Sequence, residues 1–337
     1  MRRPPRSSGD LIADRRYSYA LDLAREGDLA AAVDLMEQAI ERAPAWTAAW
    51  RELGRLKLAR FDRDGAAAAF REALKLDPAD PFGCILELAR LGGALQVDAA
   101  PRAYVEALFD AYAPDFDRAL VERLGYATPR ALAALLRAAR PSDDGRRFAR
   151  ALDLGCGTGL AGEALRADIA WLEGVDIAAG MIAAAEKKGV YDRLARADIL
   201  AALAEPGEPY DLIIAADVLI YTGDLSKIVA AMSARLAPGG LAAFSIELGG
   251  PADWTIGESL RFAHSPDYIL RLAAQAGLEI AAFEQSVLRK DRGADVDGVL
   301  AVLRKPQPVM TAAPPGTGAG AMGDIEFVPN EPPPLLH

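Results

Sequence analysis

"RALDLGCGTGLAGEALR", residues Arg150 to Arg166, decides how this chain folds. Ala151, Leu152 and Leu154 read as the end of a buried strand, while Leu160 to Leu165 already carry helical spacing. Between them, Gly155-Cys156-Gly157-Thr158-Gly159 places three glycines in five positions. Glycine tolerates positive φ and lets another group approach the backbone without meeting a Cβ, so the turn predicts a close neighbour.

Beyond the turn, strand and helix patterns alternate, which predicts a parallel sheet with helices on both faces. Strand ends are expected near Asp153, Val175, Ala197, Ala216, Ile246, Ser286 and Leu303. Ligands of such sheets bind at the carboxyl ends of the strands. Acids stand at or just after four of those ends: Asp153, Asp176, Asp198 and Asp217. That row predicts one ligand whose hydroxyls and amines need acceptors. A glycine turn with an acid about twenty residues on also describes a dinucleotide site, so an NAD dehydrogenase fits the first two acids alone.

"ALDLGCGTG", "GVDIAAGMI", "ADIL" and "LAPGG" follow one another in that order. In this the chain resembles the seven-stranded class I methyltransferases that use S-adenosylmethionine, an α/β, Rossmann-like fold with an antiparallel last strand. The resemblance implies S-adenosyl-L-methionine as cofactor. It implies that Gly155, Cys156, Gly157 and Gly159 pass its amino acid portion, with Asp153 facing the ammonium. Asp176 would accept from both ribose hydroxyls. Ile177, Met181 and Ile199 would pack at the adenine, with Asp198 accepting from its exocyclic amine. Asp153 and Asp198 have an alternative as helix caps, and Met181 as ordinary core.

The front of the chain repeats. Trp50, Leu53, Gly54, Ala66, Phe70, Ala73 and Pro78 set a pattern whose positions after Trp50 recur 34 residues earlier as Tyr19, Ala20, Ala32, Met36, Ala39 and Pro44. This spacing resembles the tetratricopeptide repeat, and with it the chain, over about residues 13 to 305, resembles predicted methyltransferases that carry such repeats. Small residues permit close helix approach, Phe70 and Met36 fill the gap, and the prolines end the second helices. A third unit starts near Pro81-Phe82 and loses the pattern after one helix, so the front is expected to lean on the rest of the chain. Two alanine-rich helical hairpins without further kinship are the plainer alternative.

The expected division is a disordered segment at 1–12, repeat-like helices at 13–100, a helical cap at 101–145, the methyltransferase-like domain at 146–305, and a disordered Pro- and Gly-rich tail at 306–337. The cap gathers Tyr104, Phe109, Tyr112 and Phe116, either as packing or as a lid over a ligand.

The net charge of −10 argues against a broad phosphate-binding surface, and hence against nucleic acid as partner. Cys84 and Cys156 lie too far apart in sequence for a metal knuckle or a disulfide framework, which fits a reducing cytoplasm; no metal site is expected. No apolar run suits a signal peptide or a membrane span. At the fourth strand end "AADVLIYTGDL" stands where amino methyltransferases carry an Asn-Pro-Pro-Tyr tetrad, which favours a small-molecule acceptor. Asp217, Tyr221 and His264 are the candidate acceptor-side residues, His264 as contact or base, with Ser265 beside it reading as a helix cap. Arg289, Lys290 and Arg292 are expected to cover a hairpin between the last two strands. A protein target recruited through the repeats, and a non-catalytic adaptor, remain the other classes.

Overall fold

A computed structural model describes residues 7–92, 96–113, 116–117, 126–140, 147–291 and 293–307. Two helical hairpins open it: α1 (Leu11–Glu26) with α2 (Leu29–Arg42), and α3 (Thr47–Ala59) with α4 (Arg63–Leu76). The repetition seen in sequence is physical. Asp28 and Asp62, 34 residues apart, each cap a second helix by accepting from the amide three residues on. Ala20, Ala32, Met36, Ala66 and Phe70 are all fully buried. A Cβ on Gly54 would lie 2.5 Å from the Phe70 ring, so only glycine lets α3 and α4 close to this distance.

Order begins earlier than the sequence suggests. Asp10 caps α1 through the amides of Ile12 and Ala13, and its carboxylate also takes the Arg42 guanidinium at 2.8 Å. Those hydrogen bonds, Arg42 foremost, hold its pKa down at about 2. The disorder expected for 1–12 therefore does not apply from residue 7 on; the tail expected at 306–337 lies outside the described residues from 308.

A third helix, α5 (Cys84–Arg90), continues the stack. Buried Asp80 starts it by accepting from the amides of Cys84 and Ile85. Then come α6 (Arg102–Tyr112) and α7 (Thr128–Ala139).

The sheet is built from β1 (Phe148–Leu154), β2 (Ile169–Asp176), β3 (Arg193–Arg196), β4 (Tyr210–Ala215), β5 (Leu236–Leu248), β6 (Trp254–Ile256), β7 (Phe262–His264), β8 (Glu279–Asp291) and β9 (Ala294–Arg304). Parallel pairing gives the order β3-β2-β1-β4-β5. β9 lies antiparallel to both β5 and β8, so the sheet is mixed. The end of β5 also pairs with β7, and β7 with β6. The sequence leads one to expect seven strands; β6 and β7 are additional.

Alternation along the strands builds a three-layer sandwich. Ile213 and Ala215 face one core with α10 (Ile199–Ala204), α11 (Ser226–Arg235) and α12 (Pro266–Gln275). Leu212 and Ile214 face the other, with α7 and α8 (Leu160–Leu165). The remaining helix, α9 (Ala179–Lys188), comes after β2.

The front leans on the sheet as expected, through a specific contact. Leu86 of α5 is fully buried against Leu260 and Phe262, with Val97, Ala100 and Tyr104 packed beside them. The segment after α5 is also pinned: the Asp98 carbonyl accepts from the amides of Gly223 and Asp224, and the Ala100 amide donates to the Tyr221 carbonyl. The sequence boundary at 100 thus falls within a continuous structure, and Met1–Pro306 forms one compact unit. Among the described residues no helix is long and apolar enough to cross a membrane.

Candidate functional site

The carboxyl ends of β1, β2 and β4 open into a cavity of about 730 Å³, roofed by α6. The glycine turn forms part of its floor. All three glycines take positive φ, but space explains them differently. At Gly155 a Cβ would lie 2.3 Å from Val218 Cγ2, and at Gly159 it would meet the Tyr191 ring at 3.0 Å. These two make room for the protein itself. Only at Gly157 (φ +54) would a Cβ project into open space, with nothing nearer than Phe116 at 3.9 Å, and it is here that a ligand can approach the backbone.

Asp176 ties this turn to the end of β2. Its Oδ2 accepts from the Gly157 amide at 2.9 Å and its Oδ1 from the Ala178 amide at 2.8 Å. Burial raises its pKa against the pull of those amides. A carboxylate oxygen can accept more than one hydrogen bond, and Asp176 lies on the cavity wall. Asp153 is only 1% exposed; burial pushes its pKa up to about 7, against a 2.7 Å hydrogen bond donated by the Tyr191 hydroxyl. Tyr191, which stands behind the wall and positions Asp153, is a supporting residue that sequence reasoning missed. Besides Gly159, Gly162 and Gly174 leave its ring room, since a Cβ at either would approach it within 3 Å.

Asp198 caps α10 through the amides of Leu200 and Ala201 and lies on the cavity wall with Ile177, Ile199 and Cys156. Met181 does not. It is fully buried and absent from the wall, so its expected adenine contact is corrected to a core role.

On the other side of the cavity, Asp217 stands just after β4 with φ +54, an uncommon backbone for a residue with a Cβ. Ser245 holds it there, accepting from its amide at 2.8 Å and donating to Oδ1 at 2.9 Å. Oδ2 takes Nη1 of Arg289 at 3.1 Å, and the other arm of Arg289 reaches Glu247. Arg289 does not cover a hairpin as the sequence suggests; it is 4% exposed, because β8 runs past Ser286 to Asp291 and carries it into the wall. Tyr221 meets Phe109 of α6 edge to face, at 5.4 Å between centroids.

His264 is the second correction to the expected site. It is fully buried and absent from the wall. Its Nε2 lies 2.9 Å from the Thr222 carbonyl and 3.1 Å from that of Gly223; two acceptors require Nε2 to carry the proton. Burial lowers its pKa to about 4, and Nδ1 has no partner. It fastens the loop behind Tyr221 and takes no position from which to reach an acceptor.

Comparison with known proteins agrees with this geometry. Residues 152–242 match a family model described as a methyltransferase domain. Trans-aconitate 2-methyltransferase of Paracidovorax citrulli is 35% identical over 97 residues, 28% of this chain and 37% of that one. Ubiquinone biosynthesis O-methyltransferase of Brucella ovis is 35% identical over 101 residues, 29% and 40% of the two chains. The chain thus spans about two fifths of the length of these curated relatives. Among solved structures, the [4+2]-cyclase SpnF superposes with a TM-score of 0.51 at 17% identity, covering 63% of this chain and all of that one. The fold is therefore shared with a protein named for another reaction, and the site has to carry the functional argument.

Proposed function

We propose that this protein binds S-adenosylmethionine in the cavity and transfers its methyl group to a small-molecule acceptor. The observation that carries the reading is Asp176, a buried carboxylate at the end of β2 that is buttressed by two amides and lies on the cavity wall. Its two acceptor oxygens fit a pair of ribose hydroxyls. Gly157 would admit the amino acid portion, Asp153 would face its ammonium, and Ile177, Ile199 and Asp198 would border the adenine. The bound cofactor supplies an activated methyl, so the protein's work is alignment, with reacting atoms held about 3–3.5 Å apart.

Titration calorimetry with S-adenosylmethionine and its demethylated product tests this. Saturable binding is expected, weakened about tenfold to a hundredfold in Asp176→Asn, which loses a charged acceptor but keeps the packing. Binding of NAD in place of either compound overturns the reading in favour of a dehydrogenase.

A second reading concerns the hairpins. The recurrence of caps and buried residues at 34-residue offset supports tetratricopeptide-like repeats, and such modules raise the effective concentration of a peptide partner. Methylation of a protein held there is the alternative to a small-molecule acceptor.

A further inference from the structure

α6 is built in an unusual way. Val105, Leu108, Phe109 and Tyr112 recur at helical spacing and face the cavity, yet no residue of this helix is buried. Both flanks of the helix are held by polar or close contacts. Asp110 accepts from the Gly180 amide at 2.9 Å, Glu106 pairs with Arg196, and Tyr104 rests over Gly83, where a Cβ would come within 3.0 Å of its ring. The helix is thus suspended by its edges, with its apolar face on the cavity. Burying such a face is what ordinarily holds an amphipathic helix in place.

The composition of that space is specific. Tyr104, Phe109, Tyr112, Phe116, Tyr126 and Tyr221 all line it, in a chain with only 7% aromatic residues. Phe109 meets Tyr221 and Phe116 edge to face, at 5.4 and 6.1 Å, an arrangement that leaves ring faces for a further ring. Phe116 stands beside Gly157 on the Asp176 side, while Phe109 contacts Tyr221 on the other. Asp217 is meanwhile committed, both carboxylate oxygens being engaged by Ser245 and Arg289. Asp217 itself therefore offers an acceptor no free charge, and the rings and tyrosine hydroxyls are the groups left beside it.

We propose that the acceptor is a planar aromatic molecule, seated in the cavity against the apolar face of α6 and beside the Phe109–Tyr221 pair. This rests on the methyl-transfer reading, because it assigns the Asp176 side of the cavity to the cofactor. An acyl chain would be served as well by aliphatic walls; a polycarboxylate, which Arg102, Lys227 and Arg261 on the same wall could meet, is the competing occupant and is represented in the test.

The test uses the full chain saturated with S-adenosylhomocysteine, titrated with catechol, 2-naphthol and quercetin as ring-bearing probes and with octanoate and citrate as aliphatic ones. The ring-bearing series is expected to bind at least about tenfold more tightly than either aliphatic probe, and Phe109→Ala to remove about tenfold of that affinity. S-adenosylhomocysteine affinity in the same variant should change less than about twofold, which also shows that the variant is folded. Equal or tighter binding of octanoate or citrate, no saturable binding by any ring-bearing probe, or ring affinity unaltered in Phe109→Ala overturns the proposal. Failure of the methyl-transfer reading has a different signature: S-adenosylhomocysteine does not bind, while Phe109-dependent binding of the rings persists.

Discussion

His264→Gln isolates the cost of burying an imidazole. Gln places an amide nitrogen near the position of Nε2, so the donor to the Thr222 and Gly223 carbonyls is kept while titration is lost. In the native chain the His264 pKa is depressed to about 4 from an ordinary 6.5. Above pH 6.5 neither the folded nor the unfolded chain protonates it, and it has no pH-dependent effect. As pH falls from 6.5 through 4, the unfolded chain takes up a proton that the native state refuses, so stability is lost. A gap of roughly two and a half units at ~1.36 kcal/mol each is about 3 kcal/mol. Asp153 works in the opposite sense, its raised pKa making the native state lose stability as pH rises toward about 7. Both proteins contain Asp153, so subtracting one from the other cancels it. Urea unfolding followed by circular dichroism at pH 7.5 and pH 4.5 should show the wild type losing roughly 2.5 kcal/mol relative to His264→Gln, most of the full gap. A difference that stays constant between the two pH values refutes the reasoning, as it would mean that the ring titrates as if exposed.

Two further outcomes concern positioning and domain support. Tyr191→Phe removes the hydrogen bond that restrains the Asp153 pKa, so less of that acid is ionised at pH 7. Cofactor affinity by calorimetry should fall roughly fivefold at pH 7, with the deficit narrowing by pH 9; equal deficits at both would show a packing effect instead. Removing residues 1–100 strips Leu86 from Leu260 and Phe262 and should lower the melting temperature sharply, at about 1.5–3 kcal/mol for each large side chain re-exposed. Removing only residues 1–76 keeps Asp80 and α5 and should cost much less; equal melting temperatures for the two truncated chains would refute the role given to α5.

The parts legible in sequence were those with local causes. β1, β2 and β4 announce themselves by apolar runs ending on acids, and Asp176 and Gly157 follow from where such sheets bind ligands. What stayed hidden depends on distant partners. Trp254–Ile256 and Phe262–His264 are too short for alternation to register, and they exist because α5 and β5 flank them. His264 beside a helix cap looks available until the Thr222 and Gly223 carbonyls arrive from 42 and 41 residues away. Tyr191 carries no motif; its only trace is Gly162 and Gly174, small residues in a helix and a strand that local propensity alone does not call for. Met181 has helical spacing consistent with wall or core, and only packing decides between them.

The position of β9 has a consequence during synthesis. β5 pairs along Leu241–Glu247 with a strand that lies some fifty residues later and is nearly the last part of the compact unit to be made. While the ribosome works through the intervening chain, a run of fully buried residues, Ala242 to Phe244 and Ile246, has an unpaired edge. A nascent chain stalled there would carry a complete glycine turn and a nearly complete cavity floor, yet present its most adhesive backbone to other chains. Truncation from the carboxyl end should therefore be punished far more heavily in yield of soluble protein than the small number of residues removed would suggest.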